Sequence, residues 1–153
     1  MTNNDVLGRL RFILDYDNAA MVAVFAAADH AVDEDQVESW LFDEEHPLFT
    51  PLFDRELATF LNGLIAHRRG RRDGPQPVPE DRLTNNLIAT KLRIALNLQG
   101  EDLIRILNLA GVTLSNHELS AFFRKPGHKH FREMNDQVMR KLLQGLQMEY
   151  RPQ

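Results

Sequence analysis

The chain has 153 residues, 43% hydrophobic and 26% charged, with 18 Lys/Arg against 22 Asp/Glu and no cysteine. The missing thiols exclude disulfides, thiolate metal sites and cysteine nucleophiles, and no apolar run approaches the roughly 20 residues of a membrane-spanning helix. The opening Met-Thr-Asn-Asn-Asp lacks the basic and apolar regions of a signal peptide, so a cytoplasmic protein with no membrane partner is expected.

The first helical segment places Val6, Leu10, Ile13 and Leu14 on one face, behind Thr2-Asn3-Asn4, which offers a side-chain acceptor to free helix N–H groups. A second helix is expected over about 18 to 28. The third begins at a capping-box pattern, Asp33 with Gln36, and buries Val37, Trp40 and Leu41. A loop with Pro47 and Pro51 leads to a final helix near 54 to 67. Residues 70–83 then form an Arg/Pro/Gly linker, expected to be exposed and semi-extended.

Beyond that linker the pattern returns. Residues 2–69 superpose on 84–151 at a constant offset of 82 positions, without a gap and with fourteen identities. Thr2-Asn3-Asn4 returns as Thr84-Asn85-Asn86, Leu10-Arg11 and Leu14 as Leu92-Arg93 and Leu96, and Ala28 as Ala110. His46, Phe49, Asp54, Leu61, Gly63-Leu64 and Arg69 return as His128, Phe131, Asp136, Leu143, Gly145-Leu146 and Arg151. The second copy opens its third helix at Ser115 with Glu118 and runs its last helix over about 136 to 150. A repeat this long is two copies of one module rather than a solenoid. The expected fold is all-α: a tandem duplication of a four-helix module packed with pseudo-twofold symmetry into one body around Trp40, Phe49, Phe60, Phe122 and Phe131. Residues 31–32 and 112–114 are open to short extended structure.

Charge separates the copies. Residues 1–69 carry 5 basic and 13 acidic side chains, a net of −8; residues 84–153 carry 10 and 6, a net of +4; residues 70–83 carry 3 of each. Two recurring pairs invite structural readings. Arg11 and Arg93 would pair with Asp54 and Asp136, and Gly63 and Gly145, each costing about 1 kcal/mol against alanine inside a helix, imply a close helix crossing.

The stretches Asn3-Asn4-Asp5, Leu10-Arg11-Phe12-Ile13-Leu14, Phe60-Leu61-Asn62-Gly63-Leu64-Ile65, Lys91-Leu92-Arg93-Ile94-Ala95 and Gly127-His128-Lys129-His130-Phe131-Arg132-Glu133 with Asp136-Gln137 resemble the YehS-like family. The resemblance covers nearly the whole chain and implies a small cytoplasmic bacterial protein of two such modules, without pointing to an activity. Family members often carry cysteine where this chain has Leu52 and Met134, and the two apolar replacements favour a core role there over thiol chemistry.

No glycine-rich phosphate loop, nucleophile elbow or zinc-protease pattern is present, so no catalytic residue, cofactor or metal is expected. His128 and His130 bracket Lys129, a poor ligand context. His46 and His128 are instead expected to bond loop carbonyls or caps as Phe49 and Phe131 insert. Non-enzymatic binding remains. Asp43, Glu44 and Glu45 occupy the positions of Lys125, Pro126 and Gly127, so equivalent surfaces have opposite sign. The candidate interaction surface is therefore Asp43, Glu44 and Glu45 in one copy and Arg124, Lys125, His128, Lys129, His130 and Arg132 in the other, for a protein partner or self-association. The alternative is nucleic-acid binding by a helix-turn-helix-like second copy through Asn116, Ser120, Arg124, Lys129 and Arg132.

Overall fold

The computed structural model describes residues 1–152, and among them the chain forms eight α-helices and no strand. They are α1 (Asn3–Leu14), α2 (Asn18–Ala27), α3 (Glu34–Leu41), α4 (Asp54–Arg69), α5 (Asn85–Ala95), α6 (Gly100–Leu109), α7 (Asn116–Phe122) and α8 (Asp136–Tyr150). Four lie in each of two compact units, Met1–Leu83 and the unit that begins at Thr84. Each helix of the first unit starts 82 residues before its counterpart, and residues 31–32 and 112–114 are irregular.

Helix starts follow the expected chemistry. Thr2 and Thr84 cap α1 and α5 by accepting from the backbone N–H of Asp5 and Leu87. The reciprocal box forms at Ser115 and Glu118; at Asp33 only one arm forms, because the Gln36 amide turns to the Ser39 hydroxyl at 3.0 Å. Helix ends repeat too. Asp15 and its repeat-mate Asn97 sit at φ 58° and 55°, Asp29 and Gly111 at 59° and 86°, each closing the preceding helix with the paired backbone bonds of a left-handed C-cap.

In the first unit α2 packs chiefly on α4, and Phe25 sits 5.3 Å from Trp40 and 5.4 Å from Phe60 between ring centroids, all three fully buried. The second unit fills the same places with Leu107, Phe122 and Leu142. Phe49 and Phe131, expected in the core, are only half-buried, and Phe25 takes the central role. Gly63 and Gly145 make the close crossing that their recurrence implied. A methyl group on either would overlap the backbone carbonyl of Val24 in α2 or Ile106 in α6.

The expected arginine–aspartate pairs do not form. Arg11 turns to the Asn18 side chain at 3.4 Å and Arg93 Nε donates to the Leu98 carbonyl at 3.1 Å, so both hold the connection after their own helix. Asp54 and Asp136 instead accept from the amides of Asn3 and Asn85, at 2.7 and 2.8 Å. The linker is exposed as expected, yet tied down. Arg71 pairs with Asp29 at 2.5 Å, Arg55 with Asp81 at 2.8 Å, and the Leu83 N–H donates to Asp54. Among the described residues no helix is long and apolar enough to cross a membrane.

Candidate functional site

The candidate surfaces are the loops that join α3 to α4 and α7 to α8, and one frame of hydrogen bonds holds both. The Asn4 amide donates to the Trp40 and Thr50 carbonyls at 3.0 and 2.9 Å, and its oxygen accepts from the Leu52 N–H at 3.0 Å. Asn86 does the same with the Phe122 and Arg132 carbonyls and the Met134 N–H, at 3.0, 2.8 and 2.9 Å. One asparagine thus takes the place of a strand partner for an irregular loop. His46 and His128 complete the frame by accepting, through Nδ1, from the N–H of Leu48 and His130, both at 3.0 Å. This corrects the expected donation to carbonyls. Each ring must be neutral at Nδ1, its proton on Nε2.

On this shared frame the side chains diverge. The first loop exposes Asp43, Glu44 and Glu45, and beyond them Leu48 and Phe53, each 67% exposed. The second exposes Lys125, His128, Lys129, His130 and Arg132, with Arg124 half-buried. Arg132 lies over the Phe122 ring at 5.1 Å. The His130 ring stands 5.8 Å from His117 of α7 and 5.5 Å from His128, so three imidazoles share one patch with the cations. No group of three His, Cys, Asp or Glu among the described residues is arranged to hold a metal ion. Glu118 belongs to the same patch. Its carboxyl is held below the ordinary range first by the Ser115 N–H and hydroxyl, then by the charges of Arg132 and His117.

The helix-turn-helix comparison fares poorly. Six residues, 110 to 115, separate α6 from α7, and α7 has only 7 residues, two turns of a would-be recognition helix. Ser120 spends its hydroxyl on the Asn116 carbonyl at 2.8 Å, although both side chains are exposed.

A feature that the sequence reading missed lies in the first unit. A pocket of about 460 Å³, open to solvent, is lined by His30, Ala31, Val32, Asp33, Asp35, Gln36, Ser39, Trp40 and Glu56. Three carboxylates line it and no Lys or Arg does. A smaller space of about 240 Å³ shares His30 and Glu56 with it and is lined also by Pro77 and Pro79 of the linker.

Residues 3–70 and 85–151 each match the family described as "Protein of unknown function (DUF1456)". The chain belongs to this DUF1456 family. Over 147 residues it is 38% identical to "Uncharacterized protein YehS" of Escherichia coli (strain K12), covering 95% of this chain and 94% of that protein. No solved structure matches it. Both DUF1456 segments coincide with four-helix halves of the chain. Leu52 and Met134, where the family resemblance implied cysteine, are each 4% exposed, which gives both DUF1456 modules a core residue there. The cavity of the first DUF1456 module was legible only as a difference between copies, because Asp33, Asp35, Trp40 and Glu56 stand opposite Ser115, His117, Phe122 and Val138.

Proposed function

We propose that this protein is a non-enzymatic binding module that associates with copies of itself or with a protein partner through its two oppositely charged loops. One observation carries the reading: the same asparagine–histidine frame presents Asp43, Glu44 and Glu45 in one unit and Lys125, Lys129 and Arg132 in the other. These charges belong to none of the frame's side-chain bonds, so recognition is open to them. The exposed Leu48 and Phe53 add apolar area beside the acidic loop, and complementary potential favours a head-to-tail contact over a like-on-like one.

The test is sedimentation velocity across a wide concentration range at low and moderate salt. Mass should rise with concentration at low salt, and Asp43→Lys with Glu44→Lys and Glu45→Lys should abolish the rise. A monomer at every concentration, with no protein co-purifying on the wild type that the triple variant loses, would sink the proposal.

Nucleic-acid binding by the second unit is favoured by a separate observation, the patch of His117, His128 and His130 rings beside Lys125, Lys129 and Arg132. Cations neutralise phosphates and imidazole faces stack on bases. Oligonucleotide binding that falls steeply with salt and is lost in Lys129→Glu with Arg132→Glu would select this reading; no binding at low salt would remove it.

A further inference from the structure

The two loops share a backbone latch that a proton can undo. In each, an imidazole Nδ1 accepts a backbone N–H two residues on, from Leu48 to His46 and from His130 to His128, both at 3.0 Å. The turns around the rings repeat as well. The His46 N–H donates to the Asp43 carbonyl and the Phe49 N–H to the His46 carbonyl, as the His128 N–H does to the Lys125 carbonyl and the Phe131 N–H to the His128 carbonyl. An Nδ1 that gains a proton becomes a donor, so the N–H facing it loses its acceptor. Histidine is the residue type that gains charge on mild acidification.

What surrounds the two rings is opposite in kind. The His46 ring is stacked on Phe42, 3.9 Å between centroids and 11° between planes, and follows Asp43, Glu44 and Glu45 in the loop. An imidazolium there keeps its aromatic platform and meets carboxylates. The repeat-mate of Phe42 is Arg124, and Lys125 stands where the acids begin. The His130 ring lies 5.5 Å from that of His128 and 5.8 Å from that of His117 on α7, with Lys129 and Arg132 in the same patch. The carboxylates on α7 and on the loop are Glu118, which accepts the Ser115 N–H at 3.0 Å, and Glu133, five residues beyond the ring. Asp136, at the start of α8, is bonded to the Asn85 amide, and α5 supplies the uncharged Asn86. A charge on His128 therefore arrives among cations.

We infer that His128 is an acid-operated latch of the loop between α7 and α8. Protonation at Nδ1 breaks the bond to the His130 N–H and sets like charges against one another, so the loop opens, while Phe42 and the neighbouring acids keep the loop between α3 and α4 shut around a protonated His46. The opening is local. The Arg132 N–H donates to the Ala121 carbonyl at 3.0 Å and Asn86 holds the Arg132 carbonyl at 2.8 Å, so the backbone is pinned again immediately after Phe131. Acid thus presents residues 125–131 in a second form, with imidazolium rings beside Lys125, Lys129 and Arg132. The latch concerns the form of the loop and stands whether or not that loop meets a partner.

Amide hydrogen exchange of the full chain, followed by NMR at pH 7.5 and pH 5.5 and corrected for the intrinsic rate, reads the opening. At pH 5.5 Glu118 and Asp136, both lowered from the ordinary carboxylate range, stay ionised and do not contribute. Protection of the Phe131 amide should fall about fivefold, the size of one net hydrogen bond, while that of its repeat-mate Phe49 changes by less than about twofold. In the imidazole ¹⁵N spectrum, Nδ1 of His46 and of His128 should carry no proton at pH 7.5. His128→Asn, whose Oδ1 accepts from the same N–H at either pH, should hold Phe131 equally at both. Arg124→Phe, which installs the platform of the first unit, should shrink the fall toward that of Phe49. Unchanged Phe131 protection in the wild type, an equal fall at Phe49, or a protonated Nδ1 at pH 7.5 each overturns the latch. A fall that survives in His128→Asn belongs to His117 or His130 and overturns it as well.

Discussion

Asn86 and Phe122 are joined by a buried hydrogen bond, 3.0 Å from the asparagine amide to the phenylalanine carbonyl, that fixes the end of α7 to the start of α5. The same bond joins Asn4 to Trp40 in the first unit, where it is only partly buried. The difference in burial sets the ranking of two variants. Asn86→Ala strips partners from the Arg132 and Phe122 carbonyls and the Met134 N–H, and should cost about 3 kcal/mol; Asn4→Ala should cost about half as much. Urea denaturation checks this, with Trp40 fluorescence reporting the first unit alone.

The glycine crossings give a sharper contrast. Gly145→Ala and Gly63→Ala gain up to about 1 kcal/mol of helix propensity and meet a carbonyl head-on, so a net loss of about 2 kcal/mol is expected. Gly8→Ala in α1 meets nothing closer than a Leu41 methyl at 3.9 Å and should stabilise by about 0.5–1 kcal/mol. Thermal melting of the three variants reads the sign of each effect.

Asn97 is exposed and holds φ at 55° where the repeat places Asp15. Asn97→Gly should raise stability by about 0.5 kcal/mol and Asn97→Val should lower it by about 1–2 kcal/mol, because a branched Cβ crowds the following carbonyl there. Paired chemical denaturation of the two variants measures both.

Acid should weaken the second unit through Glu118. Its carboxyl is lowered chiefly by the Ser115 N–H, so the folded state holds the ionised form more firmly than the unfolded chain does. The sign follows from linkage: the contribution is full above the ordinary glutamate value and is lost as pH falls through the lowered folded value. Asp136, lowered by the Asn85 amide, acts in the same direction. Melting temperature between pH 6 and pH 3 should fall less in Glu118→Gln than in the wild type; equal slopes would contradict the assignment.

Much of the fold was legible because duplication doubles every local signal. The caps at Thr2, Asp33, Thr84 and Ser115 involve side chains three residues from their targets, and Gly63 and Gly145 announce themselves by being unfavourable twice. What failed involved contacts distant in sequence. Asp54 accepts from the Asn3 amide and the Leu83 N–H, and nothing in spacing says that these reach it rather than Arg11. The Arg71–Asp29 tie spans the whole of α3 and α4. The cavity needs the α2–α3 connection, α3 and the first turn of α4 at once, and only the repeat-mate comparison carries a trace of it.

The loop frame has an evolutionary corollary. The bonds that position the loop backbone come from asparagines on α1 and α5, from a histidine Nδ1, from the Glu56 carboxylate and from other backbone groups, which leaves exposed side chains such as Asp43, Leu48 and Lys125 without a part in that frame. Positions 43 and 48 can therefore differ from their repeat-mates Lys125 and His130 without breaking a hydrogen bond of the frame, so duplication leaves one scaffold free to carry surfaces of opposite sign.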